Sequence, residues 1–186
     1  MITVAVAVAG TLSGVAGTAN RMTRDVEAMF YDGVYLKDEG YTQPGINAHL
    51  NEAANAALGL ATIMRSYPEL ADKAEALITA RRELIAAEKI SEKRSASMEM
   101  WAGFYELTEA AGNVSSKTGI SDSDMAAAFK YSDTFRGAYN AISRSAYNYR
   151  VAEYLNGRSV LTRFIGAFIS AREPDYFFPD QFEIVN

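Results

Sequence analysis

The sequence predicts an all-α fold: an antiparallel up-and-down bundle of four to five long helices, preceded by an N-terminal apolar helix. Three observations carry this expectation. From Asn20 onward, apolar residues recur at three- and four-residue steps nearly everywhere. No alternating run is bounded by the turn residues of a hairpin. The periodic segments run about 20 residues with short connections, a coiled-coil-like spacing that places consecutive helices antiparallel. With 186 residues, the chain reads as an apolar segment over 1–20 and a single helical domain over 21–186, large enough to bury a core without covalent staples.

The first element is the charge-free stretch Ile2 to Ala19. Its length matches a hydrocarbon core of about 30 Å at about 1.5 Å per helical residue. It holds three Gly, three Thr and one Ser against one Ile and one Leu, and its Gly10 and Gly14 have the spacing of closely packed membrane helices. Three readings stand open: a single-pass transmembrane helix, a secretory signal cut near Ala19, and a buried first helix of the domain. Arg21 and Arg24 follow the stretch and no basic residue precedes it. For an anchor, this puts the C-terminal domain in the cytoplasm; small Gly17 and Ala19 suit the alternative, export after cleavage.

A short helix is expected from Met22 to Tyr31, then an irregular loop from Gly33 to Pro44. A second helix over Gly45 to Ser66 puts Ile46, Leu50, Ala53, Ala54, Ala57, Leu60, Ile63 and Met64 on one face. Pro68 suits the first turn of a third helix reaching Lys89, with Leu70, Ala74, Leu77, Ile78, Leu84 and Ile85 as its seam. A fourth helix, capped by Ser91, turns Met98, Trp101, Ala102 and Tyr105 inward and stops at Gly112 and Asn113 before a polar loop to Ile120. Ser121 with Asp124 forms a capping-box pattern for a fifth helix ending near Ser143, with Met125, Phe129, Phe135, Tyr139 and Ile142 as its stripe. A last helix from Ser145 uses Tyr147, Val151, Tyr154 and Leu155 and continues past Gly157 to Pro174. The aromatic tail Tyr176, Phe177, Phe178, Pro179 is expected to pack back on the bundle.

Composition excludes several chemistries. With Cys 0, no disulfide, thiolate metal site or cysteine nucleophile exists. A formal net charge of -5 disfavours a partner held by phosphate contacts, so no nucleic acid is expected. His49 is the one imidazole; Ile46 stands three residues before it, so the Glu-x-x-His pairs of di-iron bundles are absent. His49 reads as a boundary residue of its helix rather than a ligand. No phosphate-cradling Gly-rich loop and no Ser-x-x-Lys motif occurs. The paired carboxylates Glu106 with Glu109 and Glu83 with Glu88 read as solvated helix face, and the sequon Asn113-Val114-Ser115 as chance. No catalytic, cofactor-binding or metal site is assigned, and no cofactor is expected.

Charge is unevenly spread: residues 46–112 carry seven basic and ten acidic groups, whereas the remainder to the C-terminus carries eight of each. Arg158, Arg163 and Arg172 flank the apolar run Leu161, Phe164, Ile165, Phe168 and Ile169. That composition fits an amphipathic core helix first and a membrane-interface helix second.

Tyr147-Asn148, Val151, Glu153-Tyr154 and the closing Phe177-Phe178-Pro179 resemble the LemA family's Tyr-Asn, acidic-aromatic and terminal Phe-Phe pattern. Tyr67-Pro68-Glu69-Leu70 and Ala80-Arg81 are similar to that family's Tyr-Pro turn and following helix, and Asp25 to Val34 to a divergent branch. The likeness spans about residues 22 to 179. It implies a bacterial helical bundle behind an N-terminal membrane helix, with no enzymatic activity to carry over. Asn156, Gly157 and Arg158 replace the family's Phe-Pro step, and the apolar segment is poorer in Leu, Ile and Phe than the family's anchor.

The functional expectation is a membrane-associated, non-catalytic scaffold or interaction module, attached through its N-terminal helix, with protein partners or self-association. The alternative is a soluble or exported module holding a small apolar ligand or lipid between walls formed by Trp101, Tyr105, Tyr139 and Tyr154.

Overall fold

The structure, a computed structural model, describes residue 21, residues 23–157 and residue 177. The apolar segment Ile2 to Ala19, the continuation of the last helix beyond Gly157 and most of the aromatic tail lie outside these. The described chain is mostly helical. Its elements are a helix over 23–32 (α1), strands β1 (Val34–Leu36) and β2 (Tyr41–Gln43), then α2 (Ile46–Met64), a 3-10 turn (Pro68–Leu70), α3 (Ala71–Ala86), α4 (Ile90–Thr118), α5 (Asp122–Ser143) and α6 (Ala146–Gly157). They fall into two compact units: one holds α1, the strands and α6, the other α2 to α5 together with Phe177. Among the described residues no helix is long and apolar enough to cross a membrane.

In the first unit, α1 ends where the Gly33 amide donates to the Met29 carbonyl (3.0 Å) and the chain turns into β1. The expected loop from Gly33 to Pro44 is instead an antiparallel hairpin in the register Val34↔Gln43, Tyr35↔Thr42, Leu36↔Tyr41. Three-residue strands are too short to display an alternation, so periodicity missed them. The amides of Glu39 and Gly40 both donate to the Leu36 carbonyl and close the tip. Gln43 then reaches across to α6, where its amide oxygen accepts from the Ala146 N–H at 2.8 Å and satisfies an orphan donor of that helix start. Buried Phe30 meets buried Tyr147 edge-on, with centroids 5.5 Å apart. At the other end of the pair, the buried Thr23 hydroxyl pairs with the Tyr154 hydroxyl at 3.0 Å. These contacts run α1 and α6 in opposite directions.

In the second unit, α2 packs on α3 and α5 and touches α4. A helix so surrounded needs small residues, and Ala53, Ala54, Ala56, Ala57 and Ala61 are buried beside Ile46, Leu50, Leu60 and Met64. Ile63, expected on this face, is half-buried at its margin. The Tyr131 ring of α5 packs against Gly59 of α2, where a β-carbon would sit 2.3 Å from the ring. Gly103 of α4 faces Leu77 of α3. The α3 seam is Leu70, Ala74, Leu77, Ile78 and Leu84, whereas Ile85 is exposed. Ile85 directly follows buried Leu84 and so stands about 100° further round the helix from it.

Two boundaries of α4 differ from expectation. The helix starts at Ile90, whose side chain is buried, with Lys89 rather than Ser91 preceding it; Glu92 folds back to accept from the Lys89 backbone N–H (3.3 Å) and ammonium (2.7 Å). Those bonds hold the Glu92 carboxyl below its ordinary range. At the far end α4 continues through Gly112 and Asn113 as far as Thr118 and is closed by Gly119. A glycine in a helix interior costs only about 1 kcal/mol, too little to end it, so the expected polar loop is mostly helix.

Ser121 caps α5 as the sequence suggests, its hydroxyl accepting from the Asp124 N–H at 3.2 Å. The reciprocal half of the capping box is supplied from elsewhere. The Tyr67 hydroxyl, from the turn after α2, accepts from the Ser121 N–H (3.2 Å) and donates to the Asp124 carboxylate (2.6 Å). The Tyr67 bond first, and the Ser121 bond second, hold the Asp124 carboxyl below its ordinary value of 3.8. A lowered folded-state value means this stabilisation is complete above the ordinary value and disappears as pH falls through the lowered one. Urea midpoints of the wild type and Asp124→Asn are therefore expected to converge below about pH 4. Parallel curves across that range would show the carboxylate contributes nothing.

Candidate interaction surface

The aromatic residues of α4 and α5 were expected to point inward together, and the structure divides them. The buried seam of α4 is Ala96, Ser97, Met100, Phe104, Leu107 and Ala111. Met98 and Trp101 are half-buried, and Ala102 and Tyr105 are exposed. On α5 the buried residues are Ala128, Ser132, Phe135, Ala138, Tyr139 and Ile142, while Phe129 is 63% exposed and Met125 half-buried. Large aromatic side chains suggest a seam one position away from the buried row, which runs through Ser97, Met100, Phe104, Leu107 and Ala111.

Inside, Phe104 stacks on Phe135 with centroids 3.7 Å apart. The buried Tyr139 hydroxyl donates to the Ser97 carbonyl at 2.9 Å, and burial pushes its phenol well above the usual range. A phenol so placed is a neutral structural donor rather than an acid or base at neutral pH. Trp101 closes the outer side of this layer, 4.4 Å from Tyr139, 4.7 Å from Tyr105 and 5.6 Å from Phe135 between centroids. The rings proposed as ligand walls in α4 and α5 thus fill the space themselves. Tyr154, the fourth such wall, belongs to the first unit, where it bonds Thr23.

Outside, the two helices present one continuous face. Arg94, Met98, Trp101, Tyr105 and Gly112 follow one another at helical spacing along α4, as do Met125, Phe129 and Arg136 along α5. The Arg136 guanidinium lies 6.0 Å from the Tyr105 ring centroid, which places both rows on the same side of the unit. A β-carbon at Gly112 would meet nothing within 4 Å, so the face is open there. Glu109, Asp122 and Asp133 complete it and are exposed.

The titratable groups weighed as chemical candidates are placed separately. His49 is half-buried on α2, its Nδ1 3.7 Å from Glu52. Glu106 is exposed and paired with Lys73 at 3.5 Å. Glu83, Glu92 and Glu99 line a shallow depression of about 630 Å³ where α3 hands over to α4, with Ala87 and Ser95. Among the described residues no group of three or more acidic or imidazole side chains is placed to hold a metal ion. Asn113 of the sequon sits within α4. Phe177, the one described residue of the aromatic tail, is buried. Arg158, Arg163, Arg172 and the apolar run between them lie outside the described residues.

Comparison with family models, with curated proteins and with solved structures finds no match for this chain.

Proposed function

We propose that this protein is a non-catalytic helical scaffold, a distant LemA-like bundle that works as an interaction module through the outer face of α4 and α5. In this reading α2 to α5 form one antiparallel up-and-down bundle, and the segment Ile2 to Ala19 anchors it in a membrane with the C-terminal domain cytoplasmic. The observation that carries the proposal is the division of aromatics across one helix pair. Phe104, Phe135 and Tyr139 fill the interior, whereas Tyr105, beside Arg136, is partly exposed and Phe129 largely so. Aromatic and Arg side chains are the types that dominate binding energy at interfaces, and leaving them exposed gains nothing for folding.

A photo-cross-linking amino acid at Phe129, introduced into the full chain in its own cells, is expected to give discrete adducts. The same probe at Glu75, exposed on α3, is expected to give none. Equal labelling from both positions, or none from either, overturns the interaction reading. Alkaline carbonate extraction tests the anchor separately: protein released intact from the membrane fraction removes it. The ligand-binding alternative gains no support from rings that touch one another; a small apolar molecule retained in native mass spectrometry of the full chain would revive it.

A further inference from the structure

The charges on the α4/α5 face are arranged rather than scattered. Tyr105 lies across from Arg136, and Phe104 across from Phe135. Since α4 and α5 run in opposite directions, Phe129 is level with Gly112, and Asp122 lies further on, beside the last turn of α4. Read along the helices, the face begins with Arg94, passes Met98 and Trp101, has Tyr105 and Arg136 at its centre, and continues through Glu109, Phe129 and Met125 to Asp122. Asp133 stands at its outer margin near the centre. Positive charge stands at the Arg94 end and at Arg136 by the centre, negative charge at Glu109 and at the Asp122 end, and apolar side chains lie between.

Such a face is complementary to itself. A twofold rotation about an axis passing near Tyr105, perpendicular to the helices, reverses the direction along the face. It lays Arg94 of one copy on Asp122 of the other, brings Arg136 beside Glu109 close to the axis, and sets Met98 toward Met125 and Trp101 toward Phe129. This is the symmetry of an isologous interface, in which one patch serves both partners. We propose that the occupant of the α4/α5 face is a second copy of this chain, joined in a twofold dimer centred on Tyr105. The proposal rests on the interaction-module reading and names its partner. A partner of one charge sign would leave part of the face facing like charge, whereas a second copy matches both signs at once.

Sedimentation equilibrium of the full chain, in mild detergent where the apolar segment requires it, is the test. A dimer is expected, with Arg136→Glu and Glu109→Arg each raising its Kd at least about tenfold. The double variant Arg136→Glu with Glu109→Arg, which exchanges the two charges nearest the axis, is expected to return Kd to within about threefold of the wild type. Because the chain has Cys 0, a single introduced thiol reports proximity to its own copy alone. Tyr105→Cys is expected to give a disulfide-linked dimer under mild oxidation, and Glu75→Cys, on the α3 surface beside α2, to give none. A chain that stays monomeric up to about 100 µM overturns the proposal. So does a dimer indifferent to both charge reversals, since it would be held elsewhere. The Phe129 photo-adducts distinguish the two levels: adducts of a mass other than twice the chain leave the interaction module standing and remove the second copy.

Discussion

Phe104→Ala is expected to cost about 3–5 kcal/mol of stability, the largest effect of any single truncation in α4. Its side chain is 1% exposed and stacked on Phe135 with the ring planes 3° apart. Removing it deletes buried apolar surface and strips one face of Phe135 of its contacts. The neighbours that would have to collapse into the space are themselves tied down. Tyr139 is held through its hydroxyl to the Ser97 carbonyl, and Trp101 is packed on Tyr139. A cavity that cannot relax costs more than the transfer of the lost atoms alone. Trp101 is the larger side chain, yet it is half-buried at the edge of the layer, so Trp101→Ala is expected to cost less than Phe104→Ala. Urea denaturation measures both; the ranking holds if the midpoints fall in that order with unchanged slopes. A Trp101 variant less stable than the Phe104 variant would move the true seam back to the face that aromatic size alone suggests.

That comparison also shows how much of the molecule was legible. The helical class and the approximate spans of α2, α3 and α5 follow from spacing, since burying one face demands the same period along the whole element. The Ser121 cap follows from local chemistry, which a sequence states directly. What a sequence does not state is which of two adjacent rows faces the partner helix. On α4 the rows led by Trp101 and by Phe104 differ by 60° of rotation or less, and only the neighbours decide between them. Here the neighbours are α3, which packs closely on α4, and the Phe135 and Tyr139 rings of α5, which meet the Phe104 ring and the Ser97 carbonyl. The same limit explains Phe129 and Ile85, apolar residues at the margin of a seam that solvent, rather than a neighbour, receives. Tyr67 is a different case. Its bonds to Ser121 and Asp124 join residues separated by 54 and 57 positions, and no local pattern announces such a pairing. The candidate interaction face was hidden for a related reason: its aromatic residues stand out in the sequence, but their exposure is a property of the packed pair.

The hairpin provides the second large effect, because two of its glycines stand against backbone that cannot give way. Gly33 has φ +93, and a β-carbon there would lie 2.1 Å from the Gln43 carbonyl oxygen. Gly45 would bring a β-carbon within 2.5 Å of the Phe30 carbonyl oxygen and 2.7 Å of that of Tyr31. Gly40 supplies the control: its φ is +72, but a β-carbon would meet nothing within 4 Å. Gly40→Ala therefore carries only the left-handed strain of about 1–2 kcal/mol. Gly33→Ala adds an overlap with a main-chain atom to that strain, for a total of about 3–5 kcal/mol. A flexible side chain in the way would swing aside, but Gln43 is fixed on both sides. Its backbone pairs with Val34 in the ribbon, and its side chain holds the Ala146 amide. Displacing Gln43 must loosen the start of α6 as well. Gly33→Ala is thus expected to speed hydrogen exchange at Ala146, while Gly40→Ala leaves that amide protected. Equal exchange in the two variants would mean that the tip and the base of the hairpin respond alike, and that the close approach of Gly33 to Gln43 is not what ties the ribbon to α6.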